Sequence, residues 1–224
     1  MWNVPSKTFP MSKMPRLLSL FDGTGGLSRV FTLHNWTVQS LDINPKHGAT
    51  IVCDILNWDY KNEKVPDVIF AGPPCEEYSI AHTRGVRNLT LADEIIRKMW
   101  EIISHFLQLN SKLIYFIENP DTSLLWKRQV AAPFLHRVRL DYCTYGASFR
   151  KRTKIATNSS YTPRPFCNPS KCHACVGGRH RKSAQRGPSL CCGVAPIDDT
   201  CTLDELHGYP PDLCREVLDF CQCR

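Results

Sequence analysis

The chain has 224 residues, is 42% hydrophobic and 22% charged, and carries a formal net charge of +7. That length suits one domain of ordinary size with room for a proper core, and that balance is the one of a soluble globular protein. No apolar run approaches the roughly 20 residues of a membrane span, and the N-terminus lacks the charged-then-apolar order of a signal peptide, so we expect an intracellular chain (cytoplasm or nucleus), neither secreted nor membrane-bound.

Residues 1–15 are rich in proline and methionine without periodicity and read as a loose extension. A first strand is expected over 16–21, followed by the turn Asp22-Gly23-Thr24-Gly25-Gly26 and an apolar helix opening at Leu27. Strand, glycine turn and helix form the first unit of a doubly wound α/β sheet. Glycine lets the backbone turn tightly and approach a ligand closely, although the turn is not the G-x-G-x-x-G dinucleotide pattern. A second strand over 36–41 ends in Asp42-Ile43, and an acid about 20 residues after the glycine turn suits a pair of ribose hydroxyls. A third, over 50–53, ends in Asp54-Ile55, where an acid beside an apolar residue suits an adenine amino group and face. Together these strand ends predict an adenosine-containing cofactor.

The run 68–71 reads as a buried strand, stopped by Gly72-Pro73-Pro74 because proline has no N–H for a sheet ladder. Cys75 then lies just past the carboxyl end of a parallel strand, where open α/β sheets place their ligands. A polar loop containing Thr83-Arg84-Gly85-Val86-Arg87 precedes a helix over 91–109, with Ile95, Met99, Ile102, Ile103 and Phe106 on its core face. A buried strand over 112–117 runs into Glu118-Asn119-Pro120, placing a second functional side chain at a strand's carboxyl end. A short helix over 121–129, a strand over 137–141, the run Arg150-Lys151-Arg152 and a last strand near 154–157 follow. On an extended segment the two arginines point the same way.

Residues 158–193 change character, being rich in Pro, Ser, Gly, Cys and basic residues without helical or strand period. That is too long for a plain loop inside a compact domain, so something must tie it down. Order returns at Thr202, and a helix over 212–221 closes the chain. The expected organisation is an extension over 1–15, a catalytic core over 16–157, a basic Cys-rich segment over 158–201, and a completing C-terminal element over 202–224.

Of twelve cysteines, nine lie between Cys167 and Cys223. In a reducing compartment such crowding favours metal ligands or catalysis over disulfides. The spacing Cys167-x4-Cys172-x2-Cys175-x4-His180 is compatible with a tetrahedral zinc ion, with Cys191 or Cys192 as other choices for the fourth ligand and His173 a bystander. Between Tyr142 and Ile197 there are ten Lys and Arg residues and no Asp or Glu, a balance that favours a polyanion such as nucleic acid.

Phe21-Asp22-Gly23-Thr24-Gly25-Gly26, Pro73-Pro74-Cys75, Glu118-Asn119, Arg150-Lys151-Arg152 and Leu206-His207-Gly208-Tyr209-Pro210 stand in an order that resembles the cytosine-C5 DNA methyltransferase family. The resemblance implies a Rossmann-like S-adenosylmethionine-dependent methyltransferase sheet and a monomeric enzyme acting on DNA, with RNA as the other substrate class. It implies that Cys75 is the nucleophile, Glu118 the contact to ring N3, and Arg150 and Arg152 the anchors of base and carboxylate. It places the cofactor over Phe21–Gly26 and Pro73, with Asp42 and Ile43 at its ribose and Asp54 and Ile55 at its adenine. The chain departs from the family pattern in having Glu76 for glutamine after the cysteine, Pro120 for valine after Glu-Asn, and a much smaller recognition region. Two further readings remain open: exocyclic N-methylation, which needs no thiol, and a catalytically silent nucleic-acid-binding module.

Overall fold

Leu17, Leu18 and Leu20 on the first strand, and Val68, Ile69, Phe70 and Ala71 on the fourth, are all buried, so successive side chains on both faces need cover. Strands buried on both faces are continuous apolar runs flanked by helices. The computed structural model describes residues 14–83, 85–182, 184 and 201–223. Most of the expected N-terminal extension, Arg84, Arg186, Cys191 and Cys192 lie outside these residues.

In chain order the elements are β1 (Arg16–Leu20), α1 (Gly26–Leu33), β2 (Thr37–Asp42), β3 (Ile51–Val52), β4 (Val68–Ala71), α2 (Leu89–Leu109), β5 (Ile114–Pro120), β6 (Arg137–Asp141), β7 (Arg152–Thr157), β8 (Cys175–Val176), β9 (Arg179–His180), α3 (Leu203–His207) and α4 (Pro211–Gln222). The first seven strands form one sheet in the order β3-β2-β1-β4-β5-β7-β6. Strands β1 to β5 pair in parallel, while β7 runs antiparallel to both β5 and β6. This is the Rossmann-like α/β class that the sequence predicts. The order reverses between β1 and β4, and such a switch point opens a crevice at the strands' carboxyl ends.

One face of the sheet, with Leu18, Leu20, Ile69, Ala71 and Ile117, packs on Ile96, Met99, Ile102, Ile103 and Phe106 of α2. The other, with Leu17, Val68, Phe70, Ile114 and Phe116, packs on Phe31 of α1 and Leu213, Val217 and Leu218 of α4. The α2 stripe is the expected one, except that Ile96 is buried and Ile95 only partly so. The short helix expected over 121–129 is two 3-10 turns, Leu124–Lys127 and Gln129–Ala131. The first is opened by the Ser123 hydroxyl, which accepts from the Leu125 N–H. Within 158–182 the only strands among the described residues are β8 and β9, a two-residue hairpin turning on Gly177 and Gly178, both at positive φ. No helix among the described residues is long and apolar enough to cross a membrane.

Candidate active site

A cavity of about 290 Å3 opens at the switch point, lined by the turn after β1, the ends of β2, β4 and β5, Lys151, and the residues around Tyr209. The turn after β1 bends because Phe21, Gly23 and Gly25 adopt positive φ (60°, 55° and 72°). Phe21 holds this conformation against its own side chain, an uncommon arrangement that clusters at functional sites. Asp22 braces the turn from below: its Oδ1 accepts from the hydroxyls of Ser19 and Ser28, both at 2.6 Å, and burial pushes its carboxyl above the ordinary range. A β-carbon added to Gly23 would meet nothing within 4 Å, so the turn leaves open space where it lines the cavity.

Asp42 stands at the tip of β2, 7% exposed, and organises that wall. Its Oδ2 accepts from Gly23 N at 2.8 Å, and its Oδ1 faces Asn44 N at 2.8 Å and His47 Nδ1 at 3.0 Å. Ile43 is exposed beside it and also lines the cavity. Asp54 and Ile55 do not. Asp54 Oδ1 closes a local turn on Leu56 N at 3.0 Å, and Ile55 is buried in the α2-side core, as its apolar side chain demands. Gly25 is likewise not a lining residue: it caps α1 in the left-handed region, close to the side chains of Asp22 and Arg29.

The tips of β4 and β5 are joined by one hydrogen bond, from Asn119 Nδ2 to the Pro73 carbonyl at 2.9 Å. This brings Cys75, half-buried in the loop after β4, into the same cavity as Glu118 at the end of β5. Glu118 is 5% exposed. Its Oε1 accepts from the Thr153 hydroxyl and from Tyr142 Oη at 3.2 Å, and Lys151 Nζ stands at 3.7 Å. No hydrogen bond among the described residues reaches Oε2. Burial and the nearby Glu118 carboxylate raise the Tyr142 hydroxyl well above its ordinary value, so it serves as a donor. Burial also pushes the Cys75 thiol up to about 11, with Glu76 adding to the rise, Lys151 opposing it and Glu118 adding further. The resting sulfur is therefore a thiol near neutral pH.

The cation at this site is Lys151, with its Nζ also 4.8 Å from the centroid of the Tyr142 ring. Arg150 and Arg152, expected as the anchors of base and carboxylate, do not line the cavity. Alternation along the extended segment that leads into β7 sends the side chains on either side of Lys151 the other way. Arg152 pairs with Asp141, its register partner on β6, through bonds of 2.9 and 2.8 Å. Arg150 is exposed and contributes to holding the Asp141 carboxyl below its ordinary value.

Two supports were not read from the sequence as such, Tyr78 carrying no signal and Tyr209 standing only within a late motif. Tyr78 anchors the Cys75 loop by donating to Asp93 Oδ1 at 2.8 Å, and Asp93 on α2 is gripped by Arg128 Nε at 2.7 and 3.0 Å and by its Nη2. Tyr209 lies edge-on to Phe70 and reaches Gly72 so closely that a β-carbon there would sit 1.9 Å from its hydroxyl. The glycine before Pro73-Pro74 could have flagged a close approach, but not what approaches.

A second cluster lies at the β6 edge. Cys143, in the 3-10 turn after β6, meets Cys167, Cys172 and His180, with the ligand atoms all within 4.8 Å of one another. Cys175, expected as a ligand, is outside this set of four. It sits on β8 beside Cys172 and Cys167, and the core-borne Cys143 is the fourth member of the set. Of the ten basic residues in the acid-free stretch, Lys151, Arg152, Lys154, Arg164 and Lys182 pair with carboxylates from other segments. Arg150, Lys171, Arg179 and Arg181 are exposed and make no ion pair among the described residues.

No family model and no curated protein matches the chain. Solved structures similar to it include the Entamoeba histolytica methyltransferase EhMeth, at 16% identity and TM-score 0.46 over 68% of this chain and 55% of that one. The S. pombe Dnmt2 methyltransferase is similar at 16% identity and TM-score 0.45, over 69% of this chain and 52% of that one. A sugar N-methyltransferase from Streptoalloteichus is similar at 14% identity and TM-score 0.31, over 48% of this chain and 41% of that one. The chain thus spans about half the length of the first two.

Proposed function

We propose that this chain transfers a methyl group from S-adenosylmethionine to carbon 5 of cytosine in DNA, with Cys75 as nucleophile. The observation that carries the reading is the rivet between Asn119 and Pro73, which keeps Cys75 and Glu118 on the walls of one cavity beside the glycine turn and Asp42. The cofactor suits these residues because the bare turn at Gly23 leaves room and the Asp42 carboxylate can accept ribose hydroxyls; its part is to supply an electrophilic methyl group.

Carbon 5 of cytosine is a weak nucleophile, and covalent addition at carbon 6 remedies that. Cys75 loses its proton to solvent, and its sulfur forms a bond to carbon 6. N3 takes up a proton from solvent, and the N3–H then donates to Glu118 Oε2, the oxygen left free by Thr153, Tyr142 and Lys151. Carbon 5 is then enamine-like and takes the methyl group. Loss of the carbon-5 proton to a base breaks the sulfur–carbon bond, and N3 returns its proton to solvent. Lys151 is the cation that favours the departing thiolate. In duplex DNA the base has to be flipped out first, at a cost of a few kcal/mol.

Mass spectrometry of nucleosides from DNA and RNA incubated with protein and cofactor tests this. We expect 5-methyldeoxycytidine, lost in Cys75→Ala while cofactor binding persists, and a covalent adduct with 5-fluorocytosine DNA. Methylated RNA alone would move the substrate class. An exocyclic N-methyl product surviving Cys75→Ala would overturn the carbon chemistry, and neither product nor adduct would leave a binding module.

A further inference from the structure

The cysteine and histidine cluster at the β6 edge is not used by the chemistry above, and its geometry is that of a metal centre. His180 Nε2 lies 3.3 Å from Cys143 Sγ, 3.5 Å from Cys167 Sγ and 3.7 Å from Cys172 Sγ. A tetrahedral zinc ion with ordinary Zn–S and Zn–N bonds needs nitrogen–sulfur edges of about 3.6 Å. We propose that Cys143, Cys167, Cys172 and His180 bind one structural zinc ion that fastens the basic segment to the catalytic core.

Three sulfurs converge on one imidazole nitrogen, a grouping that disulfide pairing does not produce. Four protein ligands fill the tetrahedron and leave no open position, so the ion is structural and not catalytic. Soft thiolates with one imidazole favour zinc over magnesium or calcium.

The two sides of the site differ in origin. Cys143 is buried in the turn after β6, and the other three ligands come from a stretch whose only described strands are a two-residue hairpin. That stretch buries few apolar side chains, Tyr161 and Ala174 among them, so a metal cross-link stands in for a core. The link extends to the surface. Cys167 N donates to Asp141 Oδ2 at 3.1 Å, the same oxygen that accepts from Arg152 Nη2 at 2.8 Å. The neighbouring Phe166 is 51% exposed with the Arg152 guanidinium 4.5 Å from its ring centroid. Zinc bound here therefore sets the position of an exposed arginine–aromatic pair on the basic side of the molecule.

The experiment measures metal in the full chain purified without chelator. Elemental mass spectrometry should find about one zinc ion per chain, lost in His180→Ala and Cys143→Ser and kept in Cys175→Ser. Because Cys143 is buried, a second measurement needs no substitution. Alkylation of the native protein should label Cys175 and spare Cys167 and Cys172. Chelation should expose both, and should open Lys171, Arg179 and Arg181 to trypsin. The proposal is overturned if the chain takes up no zinc from a zinc-supplemented buffer. It is equally overturned if Cys175→Ser loses the metal while Cys143→Ser keeps it, or if chelation changes neither alkylation nor proteolysis.

Discussion

Replacing Glu76 by glutamine removes one negative charge beside Cys75 at nearly constant size. Burial is the main reason that the thiol sits at about 11, and Glu76 is the next. At pH 8 a thiol of that value is ionised in roughly one molecule in 1,000, and each unit of change multiplies the thiolate tenfold. Glu76 is exposed, so water and salt screen its charge. We therefore expect Glu76→Gln to lower the thiol by about half a unit to one unit, giving roughly three- to tenfold more thiolate at pH 8. Burial remains, so the thiol still titrates above the ordinary cysteine value. Lys151→Met removes the opposing cation and must act in the other direction. The assay is the rate of iodoacetamide labelling of the Cys75 peptide across a pH series, which should climb about tenfold per pH unit below the thiol's pKa. Labelling of Glu76→Gln at pH 8 no faster than the parent, or a parent profile that levels off below pH 9, would refute the reasoning.

Gly72→Ala should be destabilising, since its new methyl group would lie 1.9 Å from Tyr209 Oη. Overpacking of this kind costs about 1–3 kcal/mol, or roughly 2–4 °C in Tm per kcal/mol at this size. The double variant Gly72→Ala/Tyr209→Phe should recover most of the loss in a thermal melt, and simple additivity of the two would count against the contact. Arg128→Met strips the main partner from Asp93, whose side chain is 7% exposed, and should cost about 2–3 kcal/mol in urea unfolding, discounted because Arg128 itself is 34% exposed. Arg128 hydrogen bonds hold the Asp93 carboxyl below its ordinary 3.8, so its contribution is complete above that value and fades as pH falls through the depressed one. The stability gap between the parent and Asp93→Asn should shrink in acid; a gap that stays constant would contradict the assignment.

What could be read from the chain was whatever depends on neighbours in sequence. The run Val68–Ala71 is a strand with those very bounds, because four apolar residues closed by Gly-Pro-Pro leave little choice. The positions of Asp42 and Glu118 at strand tips followed from the same local logic. Partners across the sheet were not legible. Lys151 was hidden between two arginines because alternation says which residues share a face, not which face meets the cavity. The reversed direction of β7 decides that, and it depends on pairing with β5 and β6. Cys143 escaped as a member of the cluster because it lies 24 positions before Cys167, and the turn after β6 brings them together. Asp54 and Ile55 show the opposite failure: an acid at a strand end was as well explained by a local turn, and the turn is what formed.

Because β7 travels against its neighbour β5, it delivers the chain to the far rim of the sheet, where the Asn158 side chain bonds Leu113 and Tyr115. Cys167 nevertheless returns to the near rim beside Asp141. The tether between them must retrace the length of β7, about 20 Å for its six residues. Nine residue steps stretch at most to about 30 Å. The slack amounts to roughly three residues, and Tyr161 uses part of it by dipping inward against Phe116 and Phe220. This tether is thus a gauge of fixed minimum length: it tolerates added residues far better than removed ones, and it sets how far the Cys-rich segment can reach from the sheet.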